Sequence, residues 1–282
     1  MRLTRSVLFL PASNARAVEK ARGLACDIAV LDLEDAVAPD QKLEARAAAL
    51  EAVRAGGFAG QVAVRVNALG TPWGEADLAA LTRLCAQGAR LDWIVAPKVE
   101  DAGTVDAYEA RMHAGVTLCA MIETPRALFA LPQIAAAGGP LGALMLGVND
   151  LAKTLGTGAT PDREPLKPWL AATVAAAKAH GLAAIDGVFN RLDDPDGLAA
   201  ECAQGRLYGF DGKSLIHPNQ IAAAHAVFSP SEAEVEAAQA IVAAFAAPDA
   251  EGRGAIRVDG AMVERLHLVQ AQALLDRATA CR

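Results

Sequence analysis

The runs IAVLDLED (Ile28–Asp35) and VAVRVN (Val62–Asn67) enclose one helix-like stretch, PDQKLEARAAALEAVRAG (Pro39–Gly56). Both runs are apolar and rich in Val, Ile or Leu, which is typical of strands buried in a parallel sheet. The stretch between them has helical spacing and is bounded by proline and glycine. A strand, a helix and a second strand in this order predict a βαβ unit.

The same alternation recurs on both sides of this unit. Eight apolar runs fall within about 225 residues, and helix-like stretches separate them, which matches the size of a (β/α)8 barrel. We therefore predict an α/β fold, a (β/α)8 TIM barrel, with a doubly wound open sheet as the structural alternative. The runs are SVLFLPAS, IAVLDLED, VAVRVN, WIVAPKVE, TLCAMIETP, ALMLGVNDL, LAAIDGV and LYGFDGKSLIHP.

The C-terminal part of the chain departs from this alternation. Residues 229–247, SPSEAEVEAAQAIVAAFAA, begin with a serine cap and early glutamates, so they predict a helix. Residues 248–260 are rich in glycine and predict a loop, and residues 261–280 predict a final helix. We therefore predict a catalytic barrel domain over residues 1–228 and a C-terminal helical lid over residues 229–282.

Composition narrows the class of protein. The 282 residues are 53% hydrophobic with a net charge of −7 and no basic tract, so nucleic acid is not an expected partner. Five scattered cysteines without a CxxC pair favour a reducing cytoplasm. The apolar run near the N-terminus is shorter than the roughly 7–15 residues of a signal peptide. Proline and glycine interrupt the uncharged stretch 127–149, so no membrane span is expected.

Polar residues cluster at the ends of the predicted strands. In a barrel these ends converge on one face, where enzymes of this fold place their sites. A single charge there has no special meaning, but seven of the eight runs end in an acid or a base. The strand-end residues are Asp32, Glu34, Asp35, Arg65, Asn67, Lys98, Glu100, Glu123, Asn149, Asp150, Asp186, Asp211 and Lys213.

Three of these residues suggest specific chemistry. Glu123 and Asp150 end successive strands, and carboxylate pairs suit Mg²⁺, which prefers oxygen ligands. Their alternative role is to stabilise helix N-termini. Arg65 has the planar fork that binds a carboxylate or carbonyl, and its alternative role is an ion pair with the acids of the preceding strand.

The motifs, taken in order, resemble those of the citrate lyase β-subunit family. This family lies in the HpcH/HpaI aldolase superfamily, which includes malyl-CoA and citramalyl-CoA lyases. The resemblance runs from Ser6 to about Gln220 and implies a barrel that assembles as a homotrimer or hexamer with one Mg²⁺ per site. The motifs are LFLPAS, LDLEDAV, VRVN, APKVE, IETP, LGVNDL and YGFDGKSLIHPNQ.

The resemblance also implies roles for residues of the barrel. Glu123 and Asp150 would hold the metal, with Glu123 also next to the substrate. Arg65 would contact the oxo-acid carboxylate and the enolate oxygen. Glu34 and Asp35 would surround the arginine and the metal-bound waters.

Three further positions follow from the CoA-lyase branch of the family. Ser13 and Lys20 would contact the acyl-CoA. Asp259, in IRVDGAM, would be the lid aspartate that acts as general acid/base in the neighbouring subunit's site. The family usually continues with Met-Ile-Asp-Pro-Pro, whereas this chain reads MVERLHL.

The implied activity is Mg²⁺-dependent cleavage or condensation of a 3-hydroxyacyl-CoA. Malyl-CoA or citramalyl-CoA would yield an acyl-CoA and a 2-oxo acid. One alternative is an aldolase on free 4-hydroxy-2-oxo acids. Another is a β subunit that acts on an acyl-carrier protein within a complex. The sequence leaves open whether a thioesterase step follows.

Overall fold

The structure is a computed structural model that describes residues 3–281, so Met1, Arg2 and Arg282 of the predicted domains lie outside the described residues. Eight parallel strands close into a barrel in chain order, which confirms the predicted TIM barrel. The last strand pairs with the first, with Val7 opposite Ser214. The strands are β1 (Ser6–Pro11), β2 (Ile28–Asp32), β3 (Gln61–Arg65), β4 (Trp93–Ala96), β5 (Thr117–Ile122), β6 (Leu141–Leu146), β7 (Ala183–Asp186) and β8 (Gly212–Leu215).

Helices follow each strand, as the alternation of the sequence predicts. Several begin with a side-chain cap, such as Asn14, Asp101, Thr124 and Asp194, which satisfies a free N–H of the first turn. The helices are α1 (Ala15–Arg22), α2 (Lys42–Ala55), α3 (Gly74–Ala86), α4 (Ala102–Glu109), α5 (Pro125–Phe129), α6 (Leu131–Ala136), α7 (Val148–Leu155), α8 (Lys167–Ala179), α9 (Pro195–Tyr208) and α10 (Ile221–Phe228).

The interior of the barrel is a packed apolar core. Alternate residues of the strands point inward and bury side chains such as Val30, Val95, Cys119, Met145 and Ile185. Layers of such side chains fill a TIM barrel and leave no central pore. A ligand site is therefore expected at an end of the barrel, and in this fold it is the end where the strands finish.

The chain divides into two compact units. Thr4–His225 forms the barrel unit, and residues 226–281 belong to the second unit together with Leu3. The division falls inside α10, and the domain boundary predicted after residue 228 stays a prediction. The second unit contains α11 (Glu232–Ala246), a two-stranded sheet of β9 (Ala255–Val258) and β10 (Ala261–Glu264), and α12 (Arg265–Ala280).

The hairpin of β9 and β10 corrects the sequence prediction. The loop predicted over residues 248–260 and the helix predicted from residue 261 are wrong for these two strands. Asp259 and Gly260 form the turn between them, with φ of 47° and 84°. Asp-Gly is the dipeptide that supplies two positive φ angles in a two-residue hairpin turn. The two long helices are confirmed, and Ser231 caps α11 as expected.

No helix among residues 3–281 combines the length and apolar character needed to cross a bilayer. The uncharged stretch 127–149 contributes to short helices and to β6 instead. Cys26, Cys85, Cys119 and Cys202 are buried free thiols, and Cys281 is partly exposed. The cytoplasmic location and the absence of a nucleic-acid partner stay predictions.

Candidate active site

A cavity of about 440 Å³ opens at the carboxyl ends of the barrel strands. Its lining brings together four of the predicted site residues, which are Asp35, Arg65, Glu123 and Asp150. Charged groups, the polar residues Asn149 and Ser214, and apolar side chains share the lining. The apolar and small lining residues include Phe9, Leu10, Pro11, Met121, Met145, Leu146, Gly147, Val148, Val188 and Ile216.

Arg65 is held inside the protein by the acids of the preceding strand. Asp32 accepts from Nε at 2.7 Å and from Nη2 at 2.6 Å, which is a bidentate pair. Nη1 lies 2.9 Å from Oε2 of Glu34, in an ion pair that is not aligned for a hydrogen bond, and 3.4 Å from Oδ2 of Asp35. The structure therefore contains the ion pair that the sequence left as the alternative role of Arg65. The Arg65 guanidinium still borders the cavity.

The register of the sheet explains this pairing. Asp32 lies directly opposite Arg65 where β2 and β3 pair in parallel. Burial by itself would lower the pKa of Arg65, but the hydrogen bonds and charge of Asp32 outweigh it and raise that pKa. Backbone N–H groups of Glu34 and Ala36 donate to Asp32 at 2.9 and 3.2 Å. Asp32 was expected as a partner and is in addition a positioning residue of the site.

Glu123 is a buried acid of the cavity, with 2% of its surface exposed. Its Oε1 accepts from the backbone N–H of Lys98 at 2.7 Å. Burial, reinforced by the charge of Glu34, raises the pKa of Glu123 to about 7. A Cβ placed on Gly147 would lie 2.5 Å from Oε2 of Glu123, so this glycine leaves the space that the carboxylate occupies. Sequence reasoning missed Gly147.

Asp150 lies in the first turn of α7, with its side chain 34% exposed. The α7 helix has no side-chain cap, and Thr124 rather than Glu123 caps α5. Neither acid is thus a capping residue, although the helix dipole still stabilises a charge at Asp150. This weakens the alternative role that the sequence left open.

The donor set of Glu123 and Asp150 fits a hard divalent cation. Both are carboxylates that line one cavity, and the ionised form of the buried one is favoured by the backbone N–H of Lys98 and by the charges of Arg65 and Lys98. No group of three or more His, Cys, Asp or Glu side chains could hold a metal ion within residues 3–281. Mg²⁺ needs only one or two carboxylates, since waters and substrate complete its shell.

Glu34 and Lys98 form an ion pair next to this cavity. Glu34 is buried, and its Oε1 accepts from Nζ of Lys98. The Lys98 ammonium also lies 4.0 Å from Oδ2 of Asp150. Lys98 was counted among the strand-end charges but was not predicted as a site residue.

Four predicted site residues lie outside the cavity lining, namely Glu34, which lies next to it, and three exposed residues. Ser13 and Lys20 are exposed, on the turn after β1 and in the last turn of α1. Asp259 is exposed at the tip of the hairpin in the second unit. Their roles stay predictions.

The strand-end prediction is wrong for both charges of the eighth run, whereas Asp186 does end β7 as predicted. Asp211 precedes β8 and pairs with Lys178 at the opposite end of the barrel. Asp186 and Lys213 are fully buried and pair with each other at 3.0 Å instead of lining the cavity. A run of letters cannot distinguish the two ends of a short strand, nor its two faces.

Comparison with known proteins adds to this geometry. The model of the HpcH/HpaI aldolase/citrate lyase family matches residues 5–218. The chain belongs to this family. The match covers all eight barrel strands and confirms the resemblance that the motifs indicate.

Relatives of this family member include two groups from Cereibacter sphaeroides. The (3S)-malyl-CoA thioesterase of strain KD131 is 46% identical over 277 residues, which covers 98% of this chain and 95% of that protein. The L-malyl-CoA/beta-methylmalyl-CoA lyase of strain ATCC 17029 is 35% identical over 304 residues, with the same shares covered.

A solved structure of CitE from Mycobacterium tuberculosis is also similar. It is 32% identical, with a TM-score of 0.77, and the match covers 97% of each chain. That protein was crystallised in complex with magnesium, acetoacetate and coenzyme A.

Proposed function

We propose that this family member is a Mg²⁺-dependent enzyme that hydrolyses the thioester of (3S)-malyl-CoA or a closely related carboxylated 3-hydroxyacyl-CoA. The observation that carries the proposal is the cavity in which Arg65, Glu123 and Asp150 meet. It offers a guanidinium for an oxyanion and two carboxylates for a cation. Relatives named thioesterases are 46% identical, compared with 35% for those named lyases, which favours hydrolysis.

Glu123 and Asp150 would hold the metal. When bound, Mg²⁺ would supply positive charge to the hydroxyl and carboxylate oxygens of the malyl group. Gly147 keeps the position of the Glu123 carboxylate open, since a Cβ there would lie 2.5 Å from Oε2. This agrees with the magnesium of the similar CitE structure.

Arg65 would bind the thioester oxygen as negative charge develops on it. Asp32 fixes the plane of the guanidinium through two hydrogen bonds, so little reorganisation is needed during the reaction. Phe9 packs against the guanidinium, 5.2 Å from its ring centre, and restricts it further. In hydrolysis, water attacks the carbonyl carbon, the C–S bond breaks, and the thiolate of coenzyme A takes up a proton.

A carboxylate must remove the proton of the attacking water. Asp259, predicted as a lid general acid/base, is one candidate for this role, acting from the lid of a neighbouring subunit in a homotrimer or hexamer. Asp35 is the other candidate, because its exposed carboxylate borders the cavity. Ser13 and Lys20 are proposed to contact the coenzyme A.

The predicted lyase reaction is the second candidate, and the 35% identical relatives favour it. There the C–C bond of malyl-CoA breaks, the hydroxyl loses its proton to give glyoxylate, and the acetyl-CoA enolate is protonated at carbon. The same Arg65 would stabilise the enolate oxygen. The aldolase and carrier-protein alternatives receive less support, because both groups of relatives are named for coenzyme A thioesters.

One assay separates these reactions. The purified chain is incubated with (3S)-malyl-CoA and Mg²⁺, and free thiol and glyoxylate are measured in parallel. We expect thiol without glyoxylate, and we expect the thiol signal to be lost in EDTA and in Glu123→Ala. Glyoxylate without thiol would instead establish the lyase, and neither product would contradict the proposed substrate.

A further inference from the structure

Lys98 joins three acids of the site through two different groups. Its backbone N–H donates to Oε1 of Glu123 at 2.7 Å. Its ammonium pairs with Glu34 and lies 4.0 Å from Oδ2 of Asp150. The side chain is 42% exposed, so water reaches this ammonium.

The backbone of Lys98 adopts an unusual conformation to make these contacts. Its φ of 52° lies in the left-handed region, which disfavours a side chain and is populated most easily by glycine. The N–H group that this conformation directs at Glu123 does not require a side chain. The backbone contact therefore does not explain why a lysine ammonium is present at this position.

The excess of acids around the cavity explains why an ammonium is present there. Arg65 and Lys98 pair with the acids, and Nζ of Lys42 donates to the carbonyl groups of Leu33 and Glu34. With all groups ionised, five acids face three cations and leave two negative charges, which one divalent cation would balance. The acids are Asp32, Glu34, Asp35, Glu123 and Asp150.

We propose that Lys98 is a resident counter-cation that holds the acids in place before the divalent cation binds and limits the affinity for that cation. The inference rests on the metal site of the proposed function. An ammonium 4.0 Å from Asp150 stabilises the acids when they hold no metal and repels a cation that arrives between Glu123 and Asp150. Lys98 is thus a positioning residue for the cation.

The test is a calorimetric titration of Mg²⁺, without substrate, into the full-length wild type and variants. In Lys98→Met the Mg²⁺ dissociation constant should fall by about tenfold, since one charge about 6 Å from a divalent cation in a water-like dielectric changes affinity by about this factor. Lys98→Arg keeps the charge and should stay within about twofold of the wild type. Lys178→Met is the matched control, because it removes an ammonium paired with Asp211 outside the cavity.

Thermal unfolding gives a second readout that does not depend on turnover. In EDTA, Lys98→Met should melt below the wild type because the acids repel one another, and Mg²⁺ should raise its melting temperature more than that of the wild type. If the methionine variant does not fold, both measurements are repeated with Lys98→Gln, which can still hydrogen-bond to Glu34.

The outcomes separate this inference from the proposed function. Unchanged or weaker Mg²⁺ binding in both neutral variants, with binding in the wild type, would overturn the role of Lys98 alone. Tighter Mg²⁺ binding in these variants, together with no turnover of malyl-CoA by the wild type, would support the role of Lys98 and contradict the proposed reaction. Failure of every protein to bind Mg²⁺ would contradict both.

Discussion

Two clusters of ion pairs in the barrel unit differ in charge and in access. The cavity cluster consists of the five acids named above with Arg65, Lys98 and Lys42. The inner cluster consists of Asp186, Lys213, Arg163 and Glu201, in which two acids meet two bases. Only the cavity cluster has members in the cavity lining.

The inner cluster is closed and electrically balanced. Lys213 is fully buried and donates to Asp186, to Glu201 and to the carbonyl of Gly187. Arg163 donates to Asp186 at 2.7 Å. The two acids and two bases of the inner cluster balance in charge, so it does not need a ligand for charge balance. The cavity cluster has an excess of negative charge and an opening, which are the properties of a binding site. Strand-end charges therefore indicate function only where they remain unbalanced and accessible.

The largest effect should come from unbalancing the inner cluster. Asp186→Asn leaves two buried cations with Glu201 as their remaining acid, and losing one partner of a buried pair costs about 3–5 kcal/mol. We expect the free energy of unfolding in urea to fall by this amount, with little change in kcat of the folded fraction. Asp162→Asn, at an exposed pair with Lys167, is the control and should change the midpoint little. Near wild-type stability of Asp186→Asn would contradict the structural role.

In the cavity cluster the largest loss should be in activity. Arg65→Lys keeps the charge but removes the planar fork that Asp32 orients, so kcat/KM should fall by about 10²–10³. Arg46→Lys makes the same change in α2, at a pair with Asp77 outside the cavity, and should leave kcat/KM nearly unchanged. Equal activity of the Arg65 variant and the wild type would exclude Arg65 from oxyanion binding.

A smaller effect, on Mg²⁺ affinity, is expected from a change at Gly147, whose backbone lies next to the Glu123 carboxylate. Gly147→Ala places a methyl group 2.5 Å from Oε2 of Glu123 and should weaken Mg²⁺ binding at least about tenfold, measured by calorimetry. Gly158→Ala is the control, because a Cβ there has no neighbour within 4 Å. Unaltered Mg²⁺ affinity in Gly147→Ala would show that Glu123 can move without loss of the site.

The smallest effect concerns the pH dependence of stability. Burial alone would raise the pKa of Asp186, but the charges of Lys213 and Arg163 outweigh it and lower that pKa. In the unfolded chain this carboxyl has a pKa of about 3.9. The contribution of Asp186 to stability is therefore complete above that pH, and it is lost as pH falls through the lower pKa of the folded state. Urea titrations should show that wild-type stability falls in this acid range more steeply than that of Asp186→Asn. Parallel curves would contradict the lowered pKa.

Much of the fold could be predicted from the sequence because its signals are local. Valine-rich runs alternate with capped helical stretches, and each run in this chain became a barrel strand. The β9–β10 hairpin differs from the prediction because the glycines of residues 248–260 indicate a loop, although Asp259-Gly260 is a recognised hairpin-turn dipeptide. That turn also gives Asp259 a structural reason to be present.

The site could be predicted only in part, because its geometry depends on register and direction. Arg65, Glu123 and Asp150 fall at strand ends that meet at one cavity, as the pattern indicates. The pairing of Asp32 with Arg65 requires the register of β2 and β3. Gly147 matters because a Cβ there would meet Glu123, and Lys98 adopts a positive φ and donates its backbone N–H to Glu123. A single sequence shows neither property.

The most direct measurement is the position of Mn²⁺, used in place of Mg²⁺, by anomalous diffraction from crystals of the full chain. We expect one Mn²⁺ per chain, bound by Glu123 and Asp150 and absent in Glu123→Gln. Mn²⁺ bound within the inner cluster, or no Mn²⁺ in the cavity of the wild type, would contradict the assignment of the unbalanced cluster as the active site.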